Sequence, residues 1–220
     1  MKKICLIEPK SADYHIFSRF KLPRLGLPLL GETLKKKGYD VTIYNQENRE
    51  LDYLDICDAD LAGISITTST APEGYRIARL LKTLSGGRLP IVFGGVHATF
   101  KPGEALEHGD YVLCGEADEV FPGIIDGLCS GEIKSGAIHT ELVKDLDALP
   151  FPDFGLIKDF SPDIIPIQTS RGCPYNCTFC SVTPMFGKQY RTFSIGYVLE
   201  MLSRYGNRFV FFYDDNFTHD

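Results

Sequence analysis

The sequence is informative first through what it lacks. No apolar run in its 220 residues approaches the roughly 20 that a membrane-spanning helix needs. The opening Met1-Lys2-Lys3-Ile4-Cys5-Leu6-Ile7 has no apolar stretch of signal-peptide length and passes straight into strand-like sequence. Positive charge is not in excess: 23 Lys and Arg stand against 29 Asp and Glu, a net charge of -6, whereas general phosphate-backbone binding calls for a basic face. The fingerprint Gly-x-Gly-x-x-Gly does not follow the first strand-like run, which disfavours a plain NAD or FAD site. There is no internal repeat and no low-complexity run. These absences argue against secreted, membrane, collagen-like and general nucleic-acid-binding proteins and lead us to expect a cytoplasmic one. Apolar residues at 44% and charged residues at 24% fit an ordinary globular chain. The length admits one large domain, or a medium domain and part of another.

Seven cysteines are present, and an odd number does not suit a fully paired disulfide framework. Cys5, Cys57, Cys114 and Cys129 are scattered in apolar or mixed surroundings and are expected in the core, where a free thiol behaves as a small hydrophobe. Cys173, Cys177 and Cys180 are clustered. Clustered thiols in a chain without a signal peptide point to a reducing compartment and a metal site.

The first part of the chain alternates strand-like and helix-like segments. Strands are expected at Lys3 to Ile7, Tyr39 to Tyr44, Leu61 to Thr67, Ile91 to Phe93 and Tyr111 to Leu113. Leu27, Leu30 and Leu34 recur at helical spacing before Lys35, Lys36, Lys37 and the stop at Gly38. Ile77, Leu80, Leu81 and Leu84 form a second stripe, opened by Pro72 and Glu73 and closed by Gly86 and Gly87, and Phe121 to Leu128 reads as a third helix. This alternation predicts a parallel sheet with helices on both faces over residues 1–139. Prolines 150, 152, 162 and 166 then resist long regular elements, so 140–163 reads as a linker or docking segment. A second βα-type unit over 164–220 follows, with a strand at Ile164 to Thr169, a helix at Ile195 to Tyr205 and a strand at Arg208 to Tyr213.

The cysteine cluster has the spacing Cys-x3-Cys-x2-Cys within Arg171-Gly172-Cys173-Pro174-Tyr175-Asn176-Cys177-Thr178-Phe179-Cys180. Three thiolates within eight residues can converge on a 4Fe–4S cube if the loop wraps around it, and Gly172 and Pro174 favour such a path. A cube normally takes four Cys. With three, one iron keeps a position open, as catalytic zinc does. The competing reading is a structural zinc site, for which His139 and His219 are the closest histidines, neither in a matching turn.

Cys-x3-Cys-x-aromatic-Cys after a strand resembles the cluster motif of radical S-adenosylmethionine enzymes. Gln168-Thr169-Ser170-Arg171-Gly172-Cys173 and Tyr213-Asp214-Asp215-Asn216-Phe217 resemble the subgroup with a cobalamin-binding domain in front. The resemblance implies an α/β fold: a Rossmann-like parallel-sheet cobalamin-binding domain followed by the start of a radical S-adenosylmethionine (β/α) partial barrel. It implies that Cys173, Cys177 and Cys180 hold three irons, the fourth chelating the amino and carboxylate groups of S-adenosylmethionine, with Phe179 near the adenine. The reduced cluster would pass one electron to the sulfonium, breaking a carbon–sulfur bond, and the resulting 5′-deoxyadenosyl radical would take a hydrogen atom from the substrate. Of Asp214 and Asp215, neighbours on an extended strand pointing to opposite faces, one is expected to face the S-adenosylmethionine pocket and the other to be structural.

The front half resembles the cobalamin domain of that subgroup at Pro23-Arg24-Leu25-Gly26-Leu27-Pro28, Gly63-Ile64-Ser65-Ile66-Thr67, Gly94-Gly95-Val96-His97-Ala98-Thr99 and Cys114-Gly115-Glu116-Ala117-Asp118. Gly94 and Gly95 would let backbone approach a macrocycle or its nucleotide tail, and Ser65, Thr67 and Thr68 would supply hydroxyls. His97, Gly115 and Glu116 complete the expected cobalamin site. Glu116 and Asp118 also suit the acidic start of a helix. The loop Asp13-Tyr14-His15-Ile16-Phe17-Ser18 departs from Asp-x-His-x-x-Gly, with Ser18 in place of the glycine, so His15 is a weak candidate for a cobalt ligand.

The resemblance implies radical methyl transfer or oxidative, ring-forming chemistry on a small-molecule or peptide substrate, with an external flavodoxin- or ferredoxin-type electron donor and neither nucleic acid nor membrane as partner. A non-catalytic cobalamin module with an electron-transfer cluster and a zinc-stabilised interaction domain are the alternatives. Residues 164–220 fall short of a barrel, which takes about 250 residues when complete. The chain therefore reads as the N-terminal portion of a longer enzyme, inactive alone.

Overall fold

The computed structural model describes residues 2–11, 22–162, 164–206 and 208–218. The apolar run Lys3–Glu8 forms β1, with Ile4, Cys5, Leu6 and Ile7 all buried, as in a strand covered on both faces. β2 (Asp40–Asn45), β3 (Leu61–Ser65), β4 (Ile91–Gly94), β5 (Tyr111–Cys114) and β6 (Gly136–His139) complete a sheet of order β2-β1-β3-β4-β5-β6, with every pair parallel. The sequence does not announce β6. It is four residues long with a single β-branched residue, and it sits at the edge of the sheet.

Two helical stripes differ in detail from the sequence pattern. α1 (Gly26–Lys36) buries Leu27, Leu29, Gly31 and Leu34, while Leu30 is only half-buried. It is covered on two sides: a Cβ added at Gly31 would touch both Ile43 of the sheet and Leu156 of the later connecting segment. Short helices α2 (Tyr53–Cys57), α4 (Val96–Phe100) and α5 (Pro102–Leu106) flank the longer α3 (Ala71–Leu84), which buries Gly74, Ile77, Ala78 and Leu81 and leaves Leu84 exposed in its last turn. Cys5 and Cys114 are core thiols and Cys57 is half-buried. Cys129 does not meet the core expectation: it is exposed near the end of α6 (Phe121–Ser130).

Residues 140–162 are laid against the sheet domain. Val143, Leu146 and Leu149 pack with Leu29 and Phe193, while Phe154 and Ile157 enter the large core that contains Ile4 and Leu6. Lys158 donates its backbone N–H to the Ile43 carbonyl at 2.9 Å. Beyond this segment, β7 (Ile164–Ile167) pairs in parallel with β10 (Phe209–Phe212), with α8 (Ile195–Tyr205) between them. The Ser194 side chain caps α8, accepting from Tyr197 N–H at 3.1 Å. Ile165, Ile167 and Met201 share the core of the first sheet, so the two parts are packed face to face. Between β7 and α8, the antiparallel pair β8 (Ser170–Arg171) and β9 (Arg191–Thr192) brackets the cysteine loop, which carries α7 (Val182–Phe186). The architecture is α/β: a Rossmann-like parallel sheet followed by the first βα units of a partial barrel.

Asp55 ties the connecting segment to β1 and β2. It accepts from Lys3 Nζ at 2.8 Å, from the Tyr44 hydroxyl and from Lys158 Nζ at 3.3 Å. The Lys3 bond first, then that of Tyr44, holds its carboxyl well below the usual carboxylate range. Ionised Asp55 therefore stabilises the fold above the ordinary aspartate pKa, and that contribution is lost as pH falls through its own lower value. Asp55→Asn should lower the thermal midpoint at pH 7, and the gap should close as pH drops below about 3.9. Melting curves across pH check this, and a gap that persists in acid contradicts it.

Candidate functional site

The strand order places a topological switch between β1, which leads outward to β2, and β3, to which the chain returns on the other side. In open α/β sheets ligands bind outside the carboxyl ends of strands at such a point. A cavity of about 830 Å³ lies there. One wall comes from the sheet: Glu8 at the end of β1, Asn45 at the end of β2, Ser65 at the end of β3 with Thr67 beyond it, Gly94 at the end of β4 with Gly95 beyond it, and Gly115 after β5. The other comes from the second part, through Gln168, Arg171, Met185, Phe186, Phe211 and Tyr213.

Glycine is required at two of the strand ends. Gly95 sits at φ 90°, ψ -178°, where a Cβ would lie 2.8 Å from the Ile66 carbonyl oxygen and 3.0 Å from Ser65 Oγ. Gly115 has φ 106°, and a Cβ there would meet Thr140 Oγ1 at 2.8 Å. Gly94 differs, because an added Cβ would meet nothing within 4 Å, so its bare backbone faces open space. These positions form a cradle on which a flat or extended group can lie against main chain.

The structure separates the expected cobalamin residues into two sets. Ser65, Thr67, Gly94, Gly95, Gly115 and Glu116 line the cavity. Thr68 and His97 are outside its lining and pair with each other, Thr68 Oγ1 and His97 Nδ1 standing 3.2 Å apart. The other ring nitrogen, Nε2, is 3.3 Å from Glu104 Oε1, so both nitrogens of the buried His97 have partners. His15 lies outside the described residues.

The sequence pointed to Arg24 only as part of the stretch 23–28, with no role of its own, and did not point to Glu8. Glu8 is buried in the cavity wall, 3.0 Å from Arg24 Nε, and accepts from Asn45 Nδ2 at 3.2 Å. Burial pushes its carboxyl up, and the Arg24 charge opposes that shift. The available signal was a carboxylate closing an otherwise apolar strand.

The three clustered cysteines are free thiols on an irregular loop, Cys177 exposed and Cys173 and Cys180 half-buried. Two N–H groups point at their sulfurs: Asn216 Nδ2 is 3.8 Å from Cys173 Sγ, and Val182 N is 3.4 Å from Cys180 Sγ. Among the described residues, no three His, Cys, Asp or Glu side chains gather as one metal ion would require. A set of three thiolates with no fourth Cys or His beside it in sequence fits a 4Fe–4S cluster with one iron left open. Phe179 projects into solvent at 90% exposure. Asp214 Oδ1 accepts four hydrogen bonds, from the backbone and hydroxyl groups of Thr169 and Ser170 at 2.6–3.0 Å, and so pins the approach to the loop. Its Oδ2 is buried with no partner among the described residues, available to a ligand donor. Asp215 is exposed.

Four buried charges join the two walls. Arg191 grips Glu116 through two bonds of 2.6 and 2.8 Å, and Arg171 grips Asp118 through two of 2.8 and 3.1 Å. Burial works against the charge on Arg171, but Asp118 and then Glu116 more than offset it, and its pKa is raised. Glu116 also accepts from Val143 N–H at 2.7 Å, so it is held from three directions although it borders the cavity.

Residues 17–125 match the model of the B12 binding domain family. The chain is 32% identical to an uncharacterised methyltransferase of Pyrococcus horikoshii, over 89% of this chain and 49% of that protein. It is 28% identical to a bacteriochlorophyllide d C-12(1)-methyltransferase of Chlorobaculum tepidum (99% and 49% covered) and 29% identical to a hopanoid C-3 methylase of Methylococcus capsulatus (98% and 46%). The chain spans about half the length of the curated relatives it matches. In fold it is similar to the radical S-adenosylmethionine methyltransferase TsrM of Kitasatospora setae, solved with cobalamin and a 4Fe–4S cluster. That match has a TM-score of 0.68 and 14% identity, covering 98% of this chain and 48% of the other.

The cradle can be tested through its most constrained glycine. Gly95→Ala forces a side chain into a backbone region open almost only to glycine, at a cost of about 1–3 kcal/mol, before the contact with the Ile66 carbonyl is counted. A denaturant titration should show at least that loss, and an unchanged midpoint would contradict the geometry.

Proposed function

Because the chain belongs to the cobalamin-binding-domain-containing radical S-adenosylmethionine protein family, we propose that it forms the cobalamin- and cluster-binding part of a radical methyltransferase. The observation that carries this reading is a single cavity with two walls, one made of strand ends of the B12-type sheet and the other reaching back to the cysteine loop. No helix among the described residues is long and apolar enough to cross a membrane.

In this reading Cys173, Cys177 and Cys180 each hold one iron of a 4Fe–4S cluster. The N–H groups of Asn216 and Val182 support thiolate at the outer two sulfurs. Asp214, through an Oδ2 with no partner among the described residues, and Asp215 offer acceptors to S-adenosylmethionine, and Phe179 offers an aromatic face for its adenine. Ser65, Thr67, Gly94, Gly95 and Gly115 seat the cobalamin, with Glu8 and Asn45 as further polar contacts at the neighbouring strand ends. Together the cofactors supply reductive cleavage of S-adenosylmethionine and radical methyl transfer. The residues of the chain bind and orient them, and the apolar side chains Met185 and Phe186 exclude water from the side facing the loop.

The names of the relatives favour methylation over the oxidative and ring-forming alternatives. The substrate is a small molecule, and an external flavodoxin- or ferredoxin-type donor supplies the electron. A cytoplasmic location, free of nucleic acid and membrane, suits the acidic composition and the reduced thiols. The division of labour follows residues 1–139 as the cobalamin domain, 140–163 as the docked connection and 164–220 as the first part of the barrel.

Anaerobic reconstitution with iron and sulfide tests the reading. The chain should take up iron with acid-labile sulfide, and its visible absorption should respond to added hydroxocobalamin. Cys177→Ala should lose the cube absorbance and keep the cobalamin response. Full iron content and unaltered cube absorbance in Cys177→Ala would refute the assignment.

A further inference from the structure

Arg171 and Arg191 are direct cross-strand partners in the β8–β9 pair. Like charges placed opposite one another across two strands are destabilising, and both of these are buried. This pair is the neck of the loop 172–190, in which all three clustered cysteines lie. The neck is tight at Gly172, at φ 86°, where a Cβ would run into the Gln189 carbonyl oxygen. Within the short β8–β9 pair itself nothing neutralises the two guanidinium groups. The neutralising carboxylates come from the other half: Glu116 and Asp118, 75 and 53 residues away in sequence, on the loop after β5. Glu116 also stands 3.6 Å from Arg171, so the four charges form one network of two cations and two anions.

We propose that Glu116 and Asp118 are positioning residues for the cysteine loop, carboxylates of the cobalamin domain that hold its neck closed. The proposal rests on the cluster reading above and gives Glu116 a role other than cobalamin contact. The cluster site is then assembled only when the loop is docked on the sheet, and the same four residues fix the distance between the two cofactor sites. Removing one carboxylate leaves two facing cations with a single counter-charge. The neck opens while the rest of the sheet, which owes nothing to these groups, stays folded.

Amide hydrogen exchange on the metal-free chain reads this directly. E116Q and D118N should each speed exchange across 172–190, on the order of tenfold or more, with β1 to β5 unchanged. The double variant E116Q/R191Q restores one cation to one anion and should return exchange in 172–190 toward the parent. Unchanged exchange in the loop, acceleration spread equally over the sheet, or a double variant no better than E116Q would each overturn the proposal. In parallel, reconstituted E116Q should hold less iron than the parent while its absorption still responds to hydroxocobalamin. Full iron with a lost cobalamin response would instead make Glu116 a cobalamin contact and overturn the positioning role. A parent chain that takes up no iron sinks the cluster reading alone, because the exchange comparison is made without metal.

Discussion

Arg171 and Arg191 face each other across two short strands, and four bonds to Glu116 and Asp118 make that arrangement possible. Desolvating two guanidinium groups side by side is costly, and breaking a buried pair by removing one partner typically costs about 3–5 kcal/mol. The network also brings the end of β5, the connecting segment at Val143 and the cysteine loop to one place. Shared apolar burial joins the two parts over a broad face, but it is non-directional. The ion pairs set the register.

That register gives the cavity its shape. Without the second part, the strand ends would present an open shelf of glycines and hydroxyls to solvent. With the loop held down, Met185, Phe186 and Tyr213 close the other side, and the spacing between α7 of the loop and the strand ends is set by the fold. A reaction that needs two large cofactors to meet one substrate depends on such fixed spacing, because most of the advantage of holding reactants together is lost when geometry slackens.

Much of this was legible in the sequence, and the reasons are local. Buried parallel strands write themselves as short apolar runs, so β1 and β3 stood out. α8 coincides with its predicted span because Ser194 caps it and its stripe is regular. The cysteine spacing is a covalent fact, and the glycines after β4 and β5 are demanded by backbone angles. What was not legible depends on distant partners. β6 is an edge strand whose four residues carry almost no propensity of their own. Leu29 outranks Leu30 because the connecting segment covers a second face of α1. Glu116 borders the cavity as its place after β5 suggests, but its two arginine partners lie far along the chain, and His97, expected to line the pocket, stands outside the lining with Thr68 and Glu104 beside its two nitrogens. Nothing in one sequence pairs residues 53 and 75 positions apart.

The proposed function places a cobalamin on the strand ends close to a cluster held by Cys173, Cys177 and Cys180, because Met185 and Phe186 of the cysteine loop line the same cavity. Electron paramagnetic resonance of the chain carrying both cob(II)alamin and the reduced cluster measures this directly. The account predicts that each signal is broadened or relaxes faster in the presence of the other, since the loop and the strand ends are two walls of one cavity. A spectrum that is the plain sum of the two separately loaded samples would contradict it.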